Sequence, residues 1–519
     1  MALLSSLTLY ASPTNIALAL IGGAFASLLC LFIFRIYFHP LAKFPGPWYA
    51  AATSLTGAAV LYKRKHQQWM AQLIQKYGKD TPIRVGPNQL LFSSSAALKD
   101  IYWNPKTNTK TSYYSSGALG PTSLFGVLPS DDHRALRKAL SNAPWTIGQL
   151  MNTWEARFGD LVTLFIQKMH DHAAAQRTVN LGEKCSEFAV DIMTMIAFGE
   201  PWGCVERQDE YRGIIRNFRK DLDFVGLTMT WEFLRDRILH SNLLAPLISR
   251  FALPNEKTQA GMGFLIREAD RQVTAREKQN KEKEFEGQPD FLQHLFNAQF
   301  SDGSSLSPTQ KHANTVLLIQ AGADTTGVAL TGTMREVLLH PDVYARIRAE
   351  IDAADKAGHL SKPILYRETR AHLPFLTACL KETLRLHPPS TSILPRVAPK
   401  EGIIVDGHFV PGGAHITCHI GTSNRNPEIW GQDAQDFRPE RWLESPEKTT
   451  QMESMLLSFG HGPRGCLGKD IAFMEMYKLL PEIFRHFDLE LVHPGDYVHQ
   501  GPIQWVSGVQ ARFIARKKA

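Results

Sequence analysis

Apolar residues recur at helical spacing through most of the chain. The spacing predicts helices over residues 147–172, 181–198, 258–280, 309–340, 342–355, 371–387 and 467–486. Runs that predict strands are fewer and shorter: 81–93, 402–410, 414–418 and the extreme C-terminus. The expected fold class is therefore mainly α with small β-sheets at the edges, an α+β arrangement. The segment after Ser307 is the most informative. Ser307 offers an N-cap, Pro308 suits the first helical position, Gln310 completes a capping box, and Pro341 stops the helix. At about 32 residues it would run nearly 50 Å, enough to cross a whole domain through its core.

A different pattern opens the chain. Ile16 to Phe34 is an uncharged run of 19 residues. As a helix it would span roughly 28 Å, about one bilayer hydrocarbon core. Residues 1–15 carry no basic region of the kind that precedes a cleaved signal, whereas Arg35, His39, Lys43, Lys63, Arg64 and Lys65 lie beyond the run. Positive residues stay cytoplasmic, so the reading is an uncleaved single-pass anchor over 16–34, a lumenal N-terminus over 1–15 and a cytosolic body. His39 to Pro47 (HPLAKFPGP) forbids helix continuation, which makes residues 35–50 a stiff proline-rich elbow. No Ser/Gly/Pro-rich linker and no internal repeat divides residues 51–519, which therefore read as a single domain. The most polar stretch of that domain, Arg267 to Asp290, reads as a solvated helix end and loop.

Composition changes this picture little. The chain has 519 residues, 44% hydrophobic and 21% charged, which excludes disorder and fibrous repeats. A net charge of +7 suits an anionic membrane surface or an acidic partner protein and is too diffuse to argue for nucleic acid. The six cysteines, at 30, 185, 204, 379, 418 and 466, form no C-x-x-C pair and no disulfide framework.

One cysteine stands apart. Phe459 to Gly468 (FGHGPRGCLG) leads into the helix predicted after 467. The run contains G-x-G-x-x-G, but Pro463 interrupts the turn and no βαβ unit surrounds it, so a dinucleotide-binding reading fails. It does place the Cys466 thiol at a helix N-terminus within a glycine-rich bend, where the dipole and free N–H groups favour thiolate. Arg464 suits a forked pair of hydrogen bonds to a carboxylate. Upstream, Ala321 to Thr326 (AGADTT) places an acid and two hydroxyls inside the long helix, where they compete for backbone hydrogen bonds. Glu382 and Arg385 stand three apart on one helix face in apolar surroundings, and therefore need further partners; Phe437 to Trp442 (FRPERW) offers Arg441.

F-G-x-G-x-R-x-C-x-G resembles the haem-binding loop of the cytochrome P-450 superfamily. The AGADTT, E-x-x-R and P-E-R-W runs resemble further elements of that family, in the same order. The resemblance implies the cytochrome P-450 fold with an N-terminal transmembrane helix, and haem b with its iron held by Cys466 as the proximal thiolate. It implies cofactor contacts from Phe459 and Arg464, from Arg396 in L-P-R, and from His133 and Arg137. The last two match the family's W-x-x-x-R with His in place of Trp. It implies that Thr325 supports oxygen activation and Asp324 helps relay protons, and that Glu382, Arg385 and Arg441 form a structural network behind the haem. Asp131-Asp132-His133 is also a conceivable metal site, but no second ligand cluster supports it.

The implied reaction is a monooxygenation of a lipophilic small molecule using O2, with electrons from a separate NADPH-dependent cytochrome P-450 reductase in the endoplasmic reticulum membrane. A basic face on the cysteine side suits docking of an acidic reductase. The elbow, the DIMTMIAFGE run from Asp191 and the P-E-R-W form look like filamentous-fungal members that tailor secondary metabolites. Substrate contacts are expected from the loop 107–129 with Tyr113, Tyr114, Leu124 and Phe125, from 317–321, from 390–394 and from 503–506. Two rivals remain. One is a haem-thiolate isomerase or peroxide-rearranging enzyme that needs no reductase. The other is a membrane-anchored haem carrier or gas sensor.

Overall fold

The helix expected between Ser307 and Pro341 forms over Pro308–Leu339, and most of the chain packs around it. The computed structural model describes residues 13–78, 80–141, 146–241, 244, 261–282, 287 and 290–517. The principal helices, in chain order, are α1 (Pro13–Ile33), α2 (Ser130–Leu140), α3 (Glu155–Ala174), α4 (Leu181–Phe198), α5 (Ile214–Thr230), α6 (Gly261–Glu282), α7 (Pro308–Leu339), α8 (Pro341–Lys356), α9 (Pro374–Leu386) and α10 (Lys469–His486). The helix expected over 258–280 corresponds to α6, its first three positions lying outside the described residues. The one expected over 147–172 runs on without a gap from Ile147, with a wide i→i+5 turn, Leu150–Trp154, just before α3.

Sequence explains why α7 starts and why it tolerates burial. Ser307 Oγ accepts the Gln310 N–H at 3.2 Å, and Gln310 Oε1 accepts the Ser307 N–H at 2.9 Å, which closes the capping box. The buried hydroxyls of Thr315, Thr331 and Thr333 donate to carbonyls one turn back, at 2.9, 2.7 and 2.8 Å, so these three groups are not left bare in the core. Helix α4, buried along almost its whole length, crosses α7 closely. The crossing depends on two glycines. A Cβ at Gly322 would overlap the Met193 side chain, and one at Gly327 would press on the Ser186 backbone. Around this pair, α3, α8, α9 and α10 contribute to one large apolar core.

The sheets are small, as expected. The strands are β1 (Ile83–Gly86), β2 (Gln89–Phe92), β3 (Thr178–Asn180), β4 (Arg396–Val397), β5 (Ile403–Val405), β6 (His408–Val410), β7 (His415–Cys418), β8 (Phe487–Gln500) and β9 (Ile503–Ala515). One sheet has the order β1-β2-β7-β4, a second β3-β9-β8, and β5-β6 stands as a hairpin. The β2–β7 pair is parallel, with Gln89 opposite His415 and Phe92 opposite Cys418. Two runs expected as single strands are hairpins. Pro87-Asn88 turns the first; Asp406-Gly407, both at positive φ (50° and 74°), turns the second as a two-residue Asp-Gly loop.

Helix α1 and the wide turn that continues it to Phe38 give a 25-residue span from Thr14, whose most apolar 18 residues have a mean hydropathy of 2.6 and are not buried in the body. That is long and apolar enough to cross a membrane, so it is a candidate anchor. The lumenal segment expected over 1–15 falls mostly outside the described residues. The proline-rich elbow packs on the body. Leu41 is buried, Arg35 Nη1 donates to the Ala52 carbonyl at 2.9 Å, and the buried Arg84 donates to the Arg35 carbonyl at 2.7 Å. A Cβ at Gly46 would overlap the Arg84 carbonyl, so the glycine is what allows this approach.

Candidate active site

The cysteine loop folds as a tight bend because its glycines take conformations closed to other residues. Gly460 and Gly462 sit at φ 63° and 61°, and a Cβ at Gly462 would meet the Tyr102 carbonyl. The Cys466 N–H donates to the Phe459 carbonyl at 2.8 Å, and the Gly465 N–H to the Gly462 carbonyl at 3.0 Å. These bonds hold Cys466 just ahead of α10. It is exposed, whereas Cys185, Cys204, Cys379 and Cys418 are buried. Surrounding protein pushes its thiol pKa up, while the Gly468 N–H and the charges of Arg137 and Lys469 favour the thiolate. The Phe459 ring packs 5.4 Å from that of Phe473 on α10.

Beside this loop the structure gathers positive charge. Arg137 on α2 donates from Nη1 to the Gly465 carbonyl at 2.8 Å. Arg464 donates to four carbonyls, of Asn108, Val127, Leu128 and Pro129, at 2.9, 2.8, 2.8 and 3.2 Å. The fork anticipated for a carboxylate is thus engaged with the 127–129 backbone, leaving a single Nη1 proton. Arg396 keeps its fork. Its Nη1 donates to the Tyr114 hydroxyl at 2.9 Å and to the Leu394 and Pro395 carbonyls, while Nε and Nη2 make no bond among the described residues. Lys110, which sequence reasoning missed, is the fourth cation. None of the four makes an ion pair among the described residues.

His133 lies buried among them. Burial first, then Arg464, Lys110, Arg137 and Arg396, lowers its pKa to about 3, so the ring is neutral and has one N–H to donate. Asp131 and Asp132 are exposed while His133 is buried, so the three do not converge on one metal position. A partly buried cluster of cations without a carboxylate is costly unless an anion is bound there. The donor set therefore fits a group carrying carboxylates, as haem does.

Helix α7 is largely buried around its middle but leaves one row partly accessible. Ala321 is exposed, and Leu317 and Thr325, four residues either side of it, are half-buried, as is Gly322. The Thr325 hydroxyl donates to the Ala321 carbonyl at 2.9 Å, the back-bond that the sequence suggested; α7 remains unbroken there. Asp324 points elsewhere. It is buried, and both of its oxygens accept from Arg219 on α5, at 3.0 and 2.5 Å. Arg219 in turn stacks 4.2 Å over the Trp505 ring. A buried acid in a helix interior demands a cation, but nothing local reveals that it comes from 105 residues away.

Glu382, Arg385 and Arg441 are brought together and fully buried. Glu382 accepts from Arg385 at 2.9 and 2.7 Å, from Arg441 at 2.9 Å, and from Trp442 Nε1 at 2.9 Å. Arg385 also donates to the Asn424, Ala434 and Asp436 carbonyls, so the trio fastens several loops to α9. The residues expected to touch substrate divide. Tyr113 is buried with its hydroxyl 2.8 Å from Ser392 Oγ, Tyr114 serves Arg396, and Leu124 and Val506 join the core. Leu317 and Ala321 remain accessible.

Residues 45–502 match the family model described as Cytochrome P-450. The chain is 30% identical over 511 residues to cytochrome P-450 monooxygenase cicH of Emericella nidulans, covering 94% of this chain and 97% of that protein. It is 29% identical over 477 residues to cytochrome P-450 monooxygenase aba2 of Botryotinia fuckeliana, covering 91% and 87%. It is also similar to quiannulatic acid synthase of Emericella variicolor, at 28% over 490 residues, covering 90% and 91%. Monooxygenases of this family need a redox partner and a small-molecule substrate, and the family implies a haem-thiolate cofactor. The glycine bend presenting Cys466, the acid–threonine step in α7 and the full-length match lead to one conclusion: the chain belongs to the cytochrome P-450 family and is an oxygen-incorporating oxidoreductase.

Proposed function

We propose that the protein is a single-pass monooxygenase of the endoplasmic reticulum membrane that holds haem b through Cys466. Using O2 and electrons from an NADPH-dependent cytochrome P-450 reductase, it hydroxylates or otherwise oxidises a lipophilic small molecule in secondary-metabolite biosynthesis. Residues 1–15 are lumenal, 16–34 span the bilayer, 35–50 form the elbow, and 51–519 form one catalytic domain in the cytosol. When bound, haem supplies the iron centre at which oxygen is reduced, with a thiolate ligand that favours O–O cleavage.

The chain's own residues do the rest. Cys466 ligates the iron, the Gly468 N–H donates to its sulfur, and the Phe459 carbonyl fixes its backbone. Arg396, Arg137, neutral His133 and the remaining Arg464 proton hold the carboxylates. Glu382, Arg385 and Arg441 keep the loops behind the cofactor in register. Leu317 and Ala321 orient an apolar substrate and exclude water, while the Thr325 hydroxyl moves a proton at its Oγ1 and Asp324, paired with Arg219, helps relay protons.

The observation that carries this reading is the partly accessible row Leu317–Ala321–Thr325 in the middle of a largely buried helix, with Asp324 next to Thr325. It supports oxygen activation over the isomerase and carrier rivals, which need no proton relay. The test is spectroscopic first. The purified protein, reduced and exposed to carbon monoxide, should give a strongly red-shifted Soret band, and Cys466→Ser should lose it. With reductase added, O2 consumption should depend on NADPH. A histidine-type band, or oxygen uptake indifferent to reductase, overturns the proposal.

A further inference from the structure

We propose that a polar cavity beside the β8–β9 turn is a binding site for a small inorganic anion of chloride size, held by the Nε2–H of His419. Three histidines (His66, His419 and His499) line it with Arg64, Gln67 and Thr391, around room for about one water-sized guest. His419 follows β7 and caps the short turn Ile420–Ser423, its Nδ1 accepting the Thr422 N–H at 3.2 Å. A neutral ring whose Nδ1 accepts carries its proton on Nε2. Burial first, then His66, His499 and Arg425, hold the His419 pKa well below normal, so the ring is neutral. The residue is 0% exposed, and Nε2 has no partner among the described residues. A buried donor left unmatched is destabilising, so this N–H demands an acceptor in the cavity.

The wall decides what that acceptor is. Among the described residues no acid lines the cavity. Arg64 brings a positive charge, shared with Asp223, whose Oδ2 accepts from its Nη2 at 2.8 Å. Arg425 stands behind His419, donating to the Gly421 carbonyl at 3.4 Å, and its charge also lowers the His499 pKa. The His66 ring lies 5.3 Å from that of His419, and Thr391 Oγ1 lies 3.3 Å from His499 Nδ1. A water would need acceptors for its own protons. The one unmatched acceptor of the wall is Gln67 Oε1, and turning that amide over presents Nε2 instead. The field is thus positive and the wall rich in donors, which favours an anion over water. An anion beside these imidazoles favours their charged forms, so it binds together with a proton and more tightly as pH falls. It thereby fastens the helix His66–Tyr77 to the Thr391–Ser392 segment and to Gly501 in the β8–β9 turn.

The test uses the full-length protein and its His419→Asn variant, in which asparagine keeps a side-chain acceptor for the turn but stops short of the cavity. Melting is followed in sodium chloride and in sodium gluconate at equal ionic strength, so that screening cancels. Chloride should raise the melting temperature by about 2 °C at saturation, and by more at about pH 6 than at about pH 7.5. His419→Asn should lose that difference. Crystals soaked in sodium bromide should show an anomalous peak within hydrogen-bond reach of His419 Nε2. Equal melting in the two salts, or a chloride effect that survives His419→Asn, overturns the proposal. So does a cavity that holds only water in the bromide-soaked crystals, a readout that stands even where the variant fails to fold.

Discussion

Asp324 and Thr325 adjoin in sequence and look in different directions. Thr325 presents its hydroxyl to the accessible row of α7, whereas Asp324 is locked to Arg219 on the packed side. Removing one partner of a buried pair strands the other charge. Arg219→Met should therefore lower stability by about 3 kcal/mol, and adding Asp324→Asn should recover more than half of it in denaturant titrations. Thr325→Ala should leave haem content intact but divert electrons, so that hydrogen peroxide formed per NADPH rises several-fold in a reductase assay. Local strings such as AGADTT and FGHGPRGC made the Thr325 back-bond in α7 and the place of Cys466 just ahead of α10 legible in the sequence, because both are set within one or two helical turns. The Arg219–Asp324 pair and the Lys110–Arg396 bridge were not legible, because each joins segments distant in sequence. For Arg464 the residue was legible but the geometry was not, since its neighbours' carbonyls take most of the fork.

Among elements, the α4–α7 crossing sets the position of the site's central helix. Gly327 abuts the Ser186 backbone, which cannot yield, whereas Gly322 abuts the flexible end of Met193. Gly327→Ala should cost about 2 kcal/mol by overpacking, and Gly322→Ala less, because Met193 can repack and alanine favours a helix. Thermal unfolding of the two variants checks the order. The long apolar helices were legible because capping and periodicity agree, most clearly from Ser307 to Pro341. Helix α2, SDDHRALRKAL, was missed because few of its residues are apolar and tertiary contacts to His133 and Leu136 decide it. The run 81–93 hid a hairpin because Pro87-Asn88 interrupts the alternation for only two residues.

For the whole molecule, buried neutral histidines make acid the weak side. His66 and His415 are held by burial to pKa values of about 4, against 6.5 when exposed. Between these values the unfolded chain binds protons that the native chain refuses, so stability falls as pH drops from 6.5 towards 4. His66→Gln should flatten that part of the profile, measured as melting temperature against pH. The joint between α1 and the body has a mechanical consequence. Arg35, Ala52 and Arg84 are hydrogen-bonded across it, and Gly46 lets the chain nest against Arg84, so the helix behaves as a welded mast. The 19 residues proposed to span the bilayer, Ile16–Phe34, are roughly 28 Å long as a helix, close to a hydrocarbon thickness of about 30 Å, so a thinner bilayer would make the proposed anchor lean. A mast that cannot swivel would carry the hull with it: for the proposed anchor, bilayer thickness would become a steering input that tips the body as the membrane thins or thickens.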